Sequence, residues 1–130
     1  MKAVKGSEIV VSVDDRVGAL GEITSALKKE GLNIRAISGW IQQQTAVIRV
    51  VTSDNQKAKE ALSQFEVNLE DAVVVDMSNE VGQLDSLSDK LQEAGVNMTH
   101  IYGTTSGQGE AATLIFSSDN DQKAIEAISA

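Results

Sequence analysis

A turn-and-helix signature occurs twice in this chain, and it restricts the possible folds more than any other feature. Val13-Asp14-Asp15-Arg16-Val17-Gly18-Ala19-Leu20-Gly21-Glu22-Ile23 passes from an apolar run through a polar turn into an amphipathic segment. Met77-Ser78-Asn79-Glu80-Val81-Gly82-Gln83-Leu84-Asp85-Ser86-Leu87 repeats it 64 residues later. Within 130 residues, this self-similarity implies two copies of one module, each with a strand that delivers a glycine to the start of a helix.

The rest of each copy can be read around that signature. Ile9 to Val13 is a β-branched run and predicts a buried strand. Leu20, Ile23 and Leu27 then recur at helical spacing until Gly31 stops the helix. Extended residues 34–41, the polar turn Gln42-Gln43-Gln44 and residues 45–51 read as a hairpin. Ser53-Asp54-Asn55 caps a second helix that carries Ala58, Ala61, Leu62 and Phe65. Residues 66–69 add a short strand. In the second copy Val73 to Val75 supply the strand, Leu84, Leu87 and Leu91 the helix face, and Gly95 the stop. Residues 98–105 and 111–116 form the hairpin around Ser106-Gly107-Gln108-Gly109, and Ser118-Asp119-Asn120 caps a last helix with Ile125 and Ile128. After Ile128 only Ser129 and Ala130 remain, too few for a further strand.

This order predicts an α+β fold. Residues 1–70 and 71–130 form two ferredoxin-like β-α-β-β-α-β repeats, antiparallel sheets with helices on one face, and the second repeat lacks its last strand. A copy of this size has a marginal core by itself, so the copies are expected to pack together. The open edge and the helix-free faces further predict a homodimer.

Charge and composition exclude several function classes. Aromatics make up 3% of the chain, so the core is aliphatic, and the absence of cysteine removes disulfides and thiolate chemistry. Residues 1–64 hold nine Lys and Arg against seven Asp and Glu, whereas residues 65–130 hold two against twelve, for a net charge of -8 overall. An acidic chain without aromatic platforms is a poor partner for nucleic acid. With neither a signal-like nor a membrane-spanning run, a cytoplasmic location is expected.

Asp15-Arg16-Val17-Gly18-Ala19-Leu20, followed after the helix by Gly31-Leu32-Asn33-Ile34, resembles the ACT domain, a small β-α-β-β-α-β regulatory module. Val81-Gly82-Gln83-Leu84 and Ala94-Gly95-Val96-Asn97-Met98 carry the same resemblance in the second copy. Where the family usually has proline before the glycine, this chain has Val17 and Val81, and Asn79 replaces the Asp15 of the first copy. The resemblance implies a stand-alone tandem protein that binds a free amino acid at an interface between repeats and regulates a metabolic enzyme. It implies no catalytic residues, metal or cofactor. The implied ligand-binding residues are Asp14, Asp15, Arg16, Val17, Gly18, Ala19, Leu20 and Asn33 in the first copy. In the second they are Asn79, Glu80, Val81, Gly82, Gln83, Leu84 and Asn97.

The chemistry of these residues fits a zwitterion. A glycine at a helix start lets a carboxylate reach backbone N–H groups, Asp14, Asp15 or Glu80 can pair with an ammonium, and Asn33 and Asn97 offer both a donor and an acceptor. A purely structural reading stands beside it: Gly18 permits a tight turn, Asp15 caps the helix, and Asn33 completes a post-helix turn. His100, the only histidine, reads as a strand-surface residue, and Ser106 to Gly109 as a hairpin turn. Trp40 suits a pocket, an interface or the core. The alternative to a sensor is a structural oligomerisation module without a ligand.

Overall fold

The computed structural model describes residues 1–130. The elements run β1 (Lys2–Asp14), α1 (Ala19–Lys29), β2 (Ile34–Gln42), β3 (Thr45–Thr52), α2 (Asn55–Ala61), β4 (Glu66–Ser78), α3 (Gln83–Ala94), β5 (Met98–Thr105), β6 (Ala111–Ser118) and α4 (Asp121–Ser129). They divide into two compact units, Ser7–Glu70 and Asp71–Ala130 together with Met1–Gly6. The two long strands β1 and β4 therefore contribute one half to each unit.

In the first unit the strand order is β2-β3-β1-β4, and β3 pairs antiparallel with both β1 and β2. Alternation along the strands decides which side chains meet the helices. Ile9, Val11 and Val13 of β1 lie opposite Val50, Ile48 and Ala46 of β3, and all six join Ile23 and Leu27 of α1 with Ala58 and Leu62 in one buried cluster. The hairpin turn places Gln43 and Gln44 at φ 49° and 67°, the two left-handed residues of a type I′ turn. On the opposite face the fully buried Glu8 carboxylate pairs with Arg49 at 3.1 Å. Arg49 also reaches Glu70 at 3.5 Å and lies over the Trp40 ring.

The second unit repeats the plan with the order β1-β4-β6-β5. Val73 and Val75 of β4 lie opposite Phe116 and Leu114 of β6 and pack with Leu87, Leu91, Ala124 and Ile128. No strand follows α4. Its place is taken by the first residues of the chain: Ala3 joins this core, and Gly6 lies so close to Val74 that an added Cβ would come within 2.7 Å of Cγ2. Residues 1–6, expected in the first repeat, group with Asp71–Ala130 in the second compact unit, and the edge on which homodimer pairing was expected is already filled, which removes that argument for a dimer. The sequence reading also divided β4 at Glu70-Asp71, although the strand runs through these charged residues.

The ends of the helices differ in kind. Asp54 caps α2 by accepting from the Lys57 N–H at 3.1 Å, and Asn120 caps α4 by accepting from Lys123 N–H at 3.0 Å. By contrast α1 and α3 begin at Gly18 and Gly82, both at φ 88° and ψ -1°, with no side-chain cap. Both end alike, the Leu32 and Val96 N–H groups bonding back to the carbonyls of the buried Leu27 and Leu91.

Candidate functional site

Each unit holds a cavity between the start of its uncapped helix and its hairpin. In the first, about 490 Å³ is enclosed by Asp15, Arg16, Ala19 and Leu20 on the loop and helix side. Residues 37–41 of β2 with Ala46 and Ile48 of β3 form the other wall. In the second, about 590 Å³ lies between Asn79, Glu80, Gly82, Gln83, Leu84 and Asp85 on one side and Gly103, Thr104, Thr105, Ala112 and Leu114 on the other. Both fall within the size of ordinary small-molecule sites.

The two cavities occupy equivalent places. Gly39 and Gly103, 64 residues apart, face Ile48 and Leu114, their cross-strand partners. A Cβ added at Gly39 would touch Ile48 Cγ1 at 3.4 Å, and one at Gly103 would press on Leu114 Cδ2 at 2.4 Å. A glycine therefore keeps the floor of each cavity low.

Helix geometry supplies the donors. The first-turn N–H groups of an α-helix have no partners within the helix, and the dipole adds partial positive charge there. The Ala19 and Gln83 N–H groups bond back to the Arg16 and Glu80 carbonyls at 3.2 Å each, and with no side chain capping α1 or α3 the other first-turn N–H groups are left to a ligand or to water. At both glycines nothing lies within 4 Å of an added Cβ, so the positive φ, not crowding, requires glycine.

Electrostatics separate the two sites. Arg16 bonds Glu22 across the first turn of α1, and this hydrogen bond, reinforced by the Glu22 charge, raises the guanidinium pKa above its ordinary value. The equivalent positions of the second repeat are Glu80 and Ser86, so the cation becomes an anion. Asp15 donates its N–H to the Gln44 carbonyl at 2.9 Å, has no side-chain hydrogen bond of the kind that holds Asn79, and lines the cavity. Asn79 is tied more firmly: its side-chain amide donates to the Gly107 carbonyl at 3.0 Å, and its backbone exchanges bonds with Gly109 and Glu110 at 2.7 Å each.

Of the residues expected from sequence, Asp15, Arg16, Ala19 and Leu20 line the first cavity, and Asn79, Glu80, Gly82, Gln83 and Leu84 the second. Asp14, Val17 and Val81 are exposed and lie outside the linings, and Gly18 shapes the first cavity through its backbone without lining it. Asn33 and Asn97 are not brought to either cavity. They precede β2 and β5, where the Asn33 N–H donates to Ser53 Oγ and its carbonyl accepts from the Ser53 N–H, and Asn97 does the same with Asp119 Oδ1 and the Asp119 N–H, which is the post-helix turn of the structural reading. Asp15 does not cap α1, because Gly18 occupies that position. Sequence reasoning missed the hairpin walls, Ile37, Gly39, Ile41, Ala46 and Ile48 in the first unit and Gly103, Thr105, Ala112 and Leu114 in the second. The repeated glycine at 39 and 103 was the signal that could have found them.

Outside the cavities, His100 and Tyr102 stack on β5 with ring centroids 6.1 Å apart. No three His, Cys, Asp or Glu side chains converge as a metal site, and no helix is long and apolar enough to cross a membrane.

Comparison with known proteins follows the same division. Residues 7–70 match the model of the ACT domain family. A solved protein from Bacteroides thetaiotaomicron is 26% identical with a TM-score of 0.88, over 98% of this chain and 88% of that one. The ligand-free regulatory subunit of aspartate kinase from Thermus thermophilus is 16% identical with a TM-score of 0.67, over 99% of this chain and 96% of that one. The aspartate kinase of Clostridium acetobutylicum is 15% identical with a TM-score of 0.58, over 97% of this chain and 33% of the enzyme. No curated sequence matches. Residues 7–70 coincide with the first compact unit to within its boundaries. They are thus an ACT domain by sequence match, and the second unit is similar to it in its order of elements.

Proposed function

We propose that this protein is a sensor that binds a free amino acid at its ACT-like repeats and passes the bound state to an associated metabolic enzyme, without catalysing a reaction itself. The observation that carries this reading is the cavity in each unit between a glycine-started, uncapped helix and a hairpin wall. There the open N–H groups suit a carboxylate, and in the first unit Asp15 suits the ammonium. The likeness in fold to the regulatory chains of aspartate kinase supports a regulatory role for a chain with no catalytic constellation.

Binding energy becomes regulation only when the ligand prefers one of two states. Loop 14–18 is the element on which that preference would act, since it holds the cavity at one end and starts α1 at the other. The test is a thermal-shift and calorimetric screen of the common amino acids. At 100 times its dissociation constant one ligand adds about 2.7 kcal/mol, a rise on the order of 10 °C for a chain of this length. Flat melting curves and no heat across the panel at millimolar ligand would favour the structural module instead.

A further inference from the structure

The cavity of the first repeat also carries information about the ligand's side chain. Strand alternation places Ile37, Gly39 and Ile41 on one face of β2, opposite Val50, Ile48 and Ala46 of β3. All of these except Val50 line the cavity, and Ala19 and Leu20 of α1 close it from the other side. Ile41 and Leu20 remain 57% and 52% exposed, although residues of their size ordinarily bury much of their surface. An apolar wall therefore stands beside charged groups of both signs, Asp15 and Arg16, and the open helix start.

We propose that the first repeat selects an amino acid with an apolar side chain, aliphatic or aromatic. Its side chain rests on Gly39, Ile41, Ala46 and Ile48, its ammonium meets Asp15, and its carboxylate meets Arg16 and the first-turn N–H groups of α1. The assignment rests on the amino-acid-sensor reading above. Covering Ile41 and Leu20 contributes affinity that a polar side chain cannot match, because a hydroxyl or charge moved onto the same wall loses its water without gaining a partner. The second repeat shows what the wall would look like without that selection. Its floor keeps Gly103, Ala112 and Leu114, but Thr105 stands where the first repeat has Ile41, Gln83 where it has Ala19, and Glu80 where it has Arg16.

Trp40, the only tryptophan, sits between Gly39 and Ile41 in β2 with its ring under Arg49 on the other face of the strand, so its emission reports on changes in this strand while calorimetry reads the cavity itself. The experiment titrates the full chain with isoleucine, leucine, phenylalanine, serine, aspartate and lysine, following Trp40 fluorescence and calorimetric heat. At least one apolar amino acid is expected to bind roughly tenfold or more tighter than serine, aspartate or lysine. Ile41→Thr, at an exposed position that the fold tolerates, should erase most of that preference. Gly39→Leu, which fills the floor, should abolish the Trp40 response. Tighter binding of a polar or charged amino acid, or a preference that survives Ile41→Thr, overturns the proposal while leaving an amino-acid sensor in place. A null result in both readouts with all common amino acids overturns the sensor reading as well.

Discussion

The two loops that start α1 and α3 share a backbone and differ in almost everything attached to it. Gly18 and Gly82 have the same φ and ψ, and the same floor glycine recurs at 39 and 103. Yet Arg16 and Ile41 in one repeat are replaced by Glu80 and Thr105 in the other, and Asn79 is laced to its hairpin while Asp15 borders the cavity. A backbone that needs open helix donors and a positive φ constrains the glycines in both copies. The side chains around it are constrained only by what each cavity holds. On the proposed reading, the shared geometry marks where a ligand would bind, and the divergent walls mark which ligand.

The largest effect should come from the exchanged strand, which makes the repeats unequal in a way that their loops do not. Deleting residues 1–6 removes Ala3 from the second core and one strand from its sheet, while the first unit keeps all of its own residues. A unit of this size has on the order of 3–10 kcal/mol of stability, and losing a strand removes several kcal/mol of burial and hydrogen bonding. Amide exchange should therefore accelerate at Val73, Val75 and Phe116 and stay slow at Val11, Ile48 and Val50. Faster exchange confined to the first unit would instead restore the simpler division at residue 70.

That strand also shows where the sequence was legible and where it was not. Both helix starts, both helix stops and both hairpins follow from local signals, a glycine, a capping residue or an apolar period, each contained in a few positions. Lys2–Gly6 has no such signal. Two lysines, a glycine and a single buried alanine do not look like a strand, and their pairing with β4 joins positions about seventy apart in the chain. The same limit hid the cavity walls, because cross-strand register decides that Gly39 faces Ile48. Asn33 and Asn97 misled for the opposite reason: repetition showed that they matter, without showing that what matters is their backbone bond to the next helix start.

Gly18→Val and Gly82→Val test whether the loops are equal where their backbones are equal. A β-branched residue at φ 88° is strained whatever space surrounds it, at a cost of about 1 to 2 kcal/mol. Denaturant unfolding should show similar losses for both variants, each in its own repeat. Ligand binding should fall only with the variant in the repeat that binds, because the strain displaces the first-turn donors. Equal binding by Gly18→Val and the unsubstituted protein would move the carboxylate site away from α1.

The floor glycines should separate by a smaller margin. Alanine at 39 adds an ordinary contact with Ile48, whereas alanine at 103 must displace the end of the Leu114 side chain and sits 3.3 Å from the Thr113 carbonyl. Gly39→Ala is expected to be neutral to within about 0.5 kcal/mol, and Gly103→Ala to cost about 1 kcal/mol as mild overpacking. Chemical denaturation of the two variants side by side measures the difference. Equal costs would mean that Leu114 swings aside freely and that the second cavity is less constrained than its lining suggests.

The smallest effect on stability belongs to Arg16, and this makes it the cleanest probe of binding. The Arg16–Glu22 pair is open to solvent, with side-chain exposures of 48% and 44%, so screening leaves it little to contribute to folding. Its pKa is raised in the folded state by Glu22, so whatever stability the pair provides is present below the unfolded pKa and is lost only as pH rises through the folded value. Both values lie far above the range from about pH 5 to 9 in which the protein would be studied. Arg16→Ala should therefore leave the melting temperature of the ligand-free protein and its pH dependence unchanged across that range. In the same preparation, affinity for an amino acid in the first repeat should fall, because the carboxylate loses its one side-chain cation. Glu80→Ala, at the equivalent position, should leave that affinity as it was. If Arg16→Ala shifts the ligand-free melting curve and spares binding, Arg16 is a structural residue of α1 and the charge difference between the two loops has no bearing on recognition.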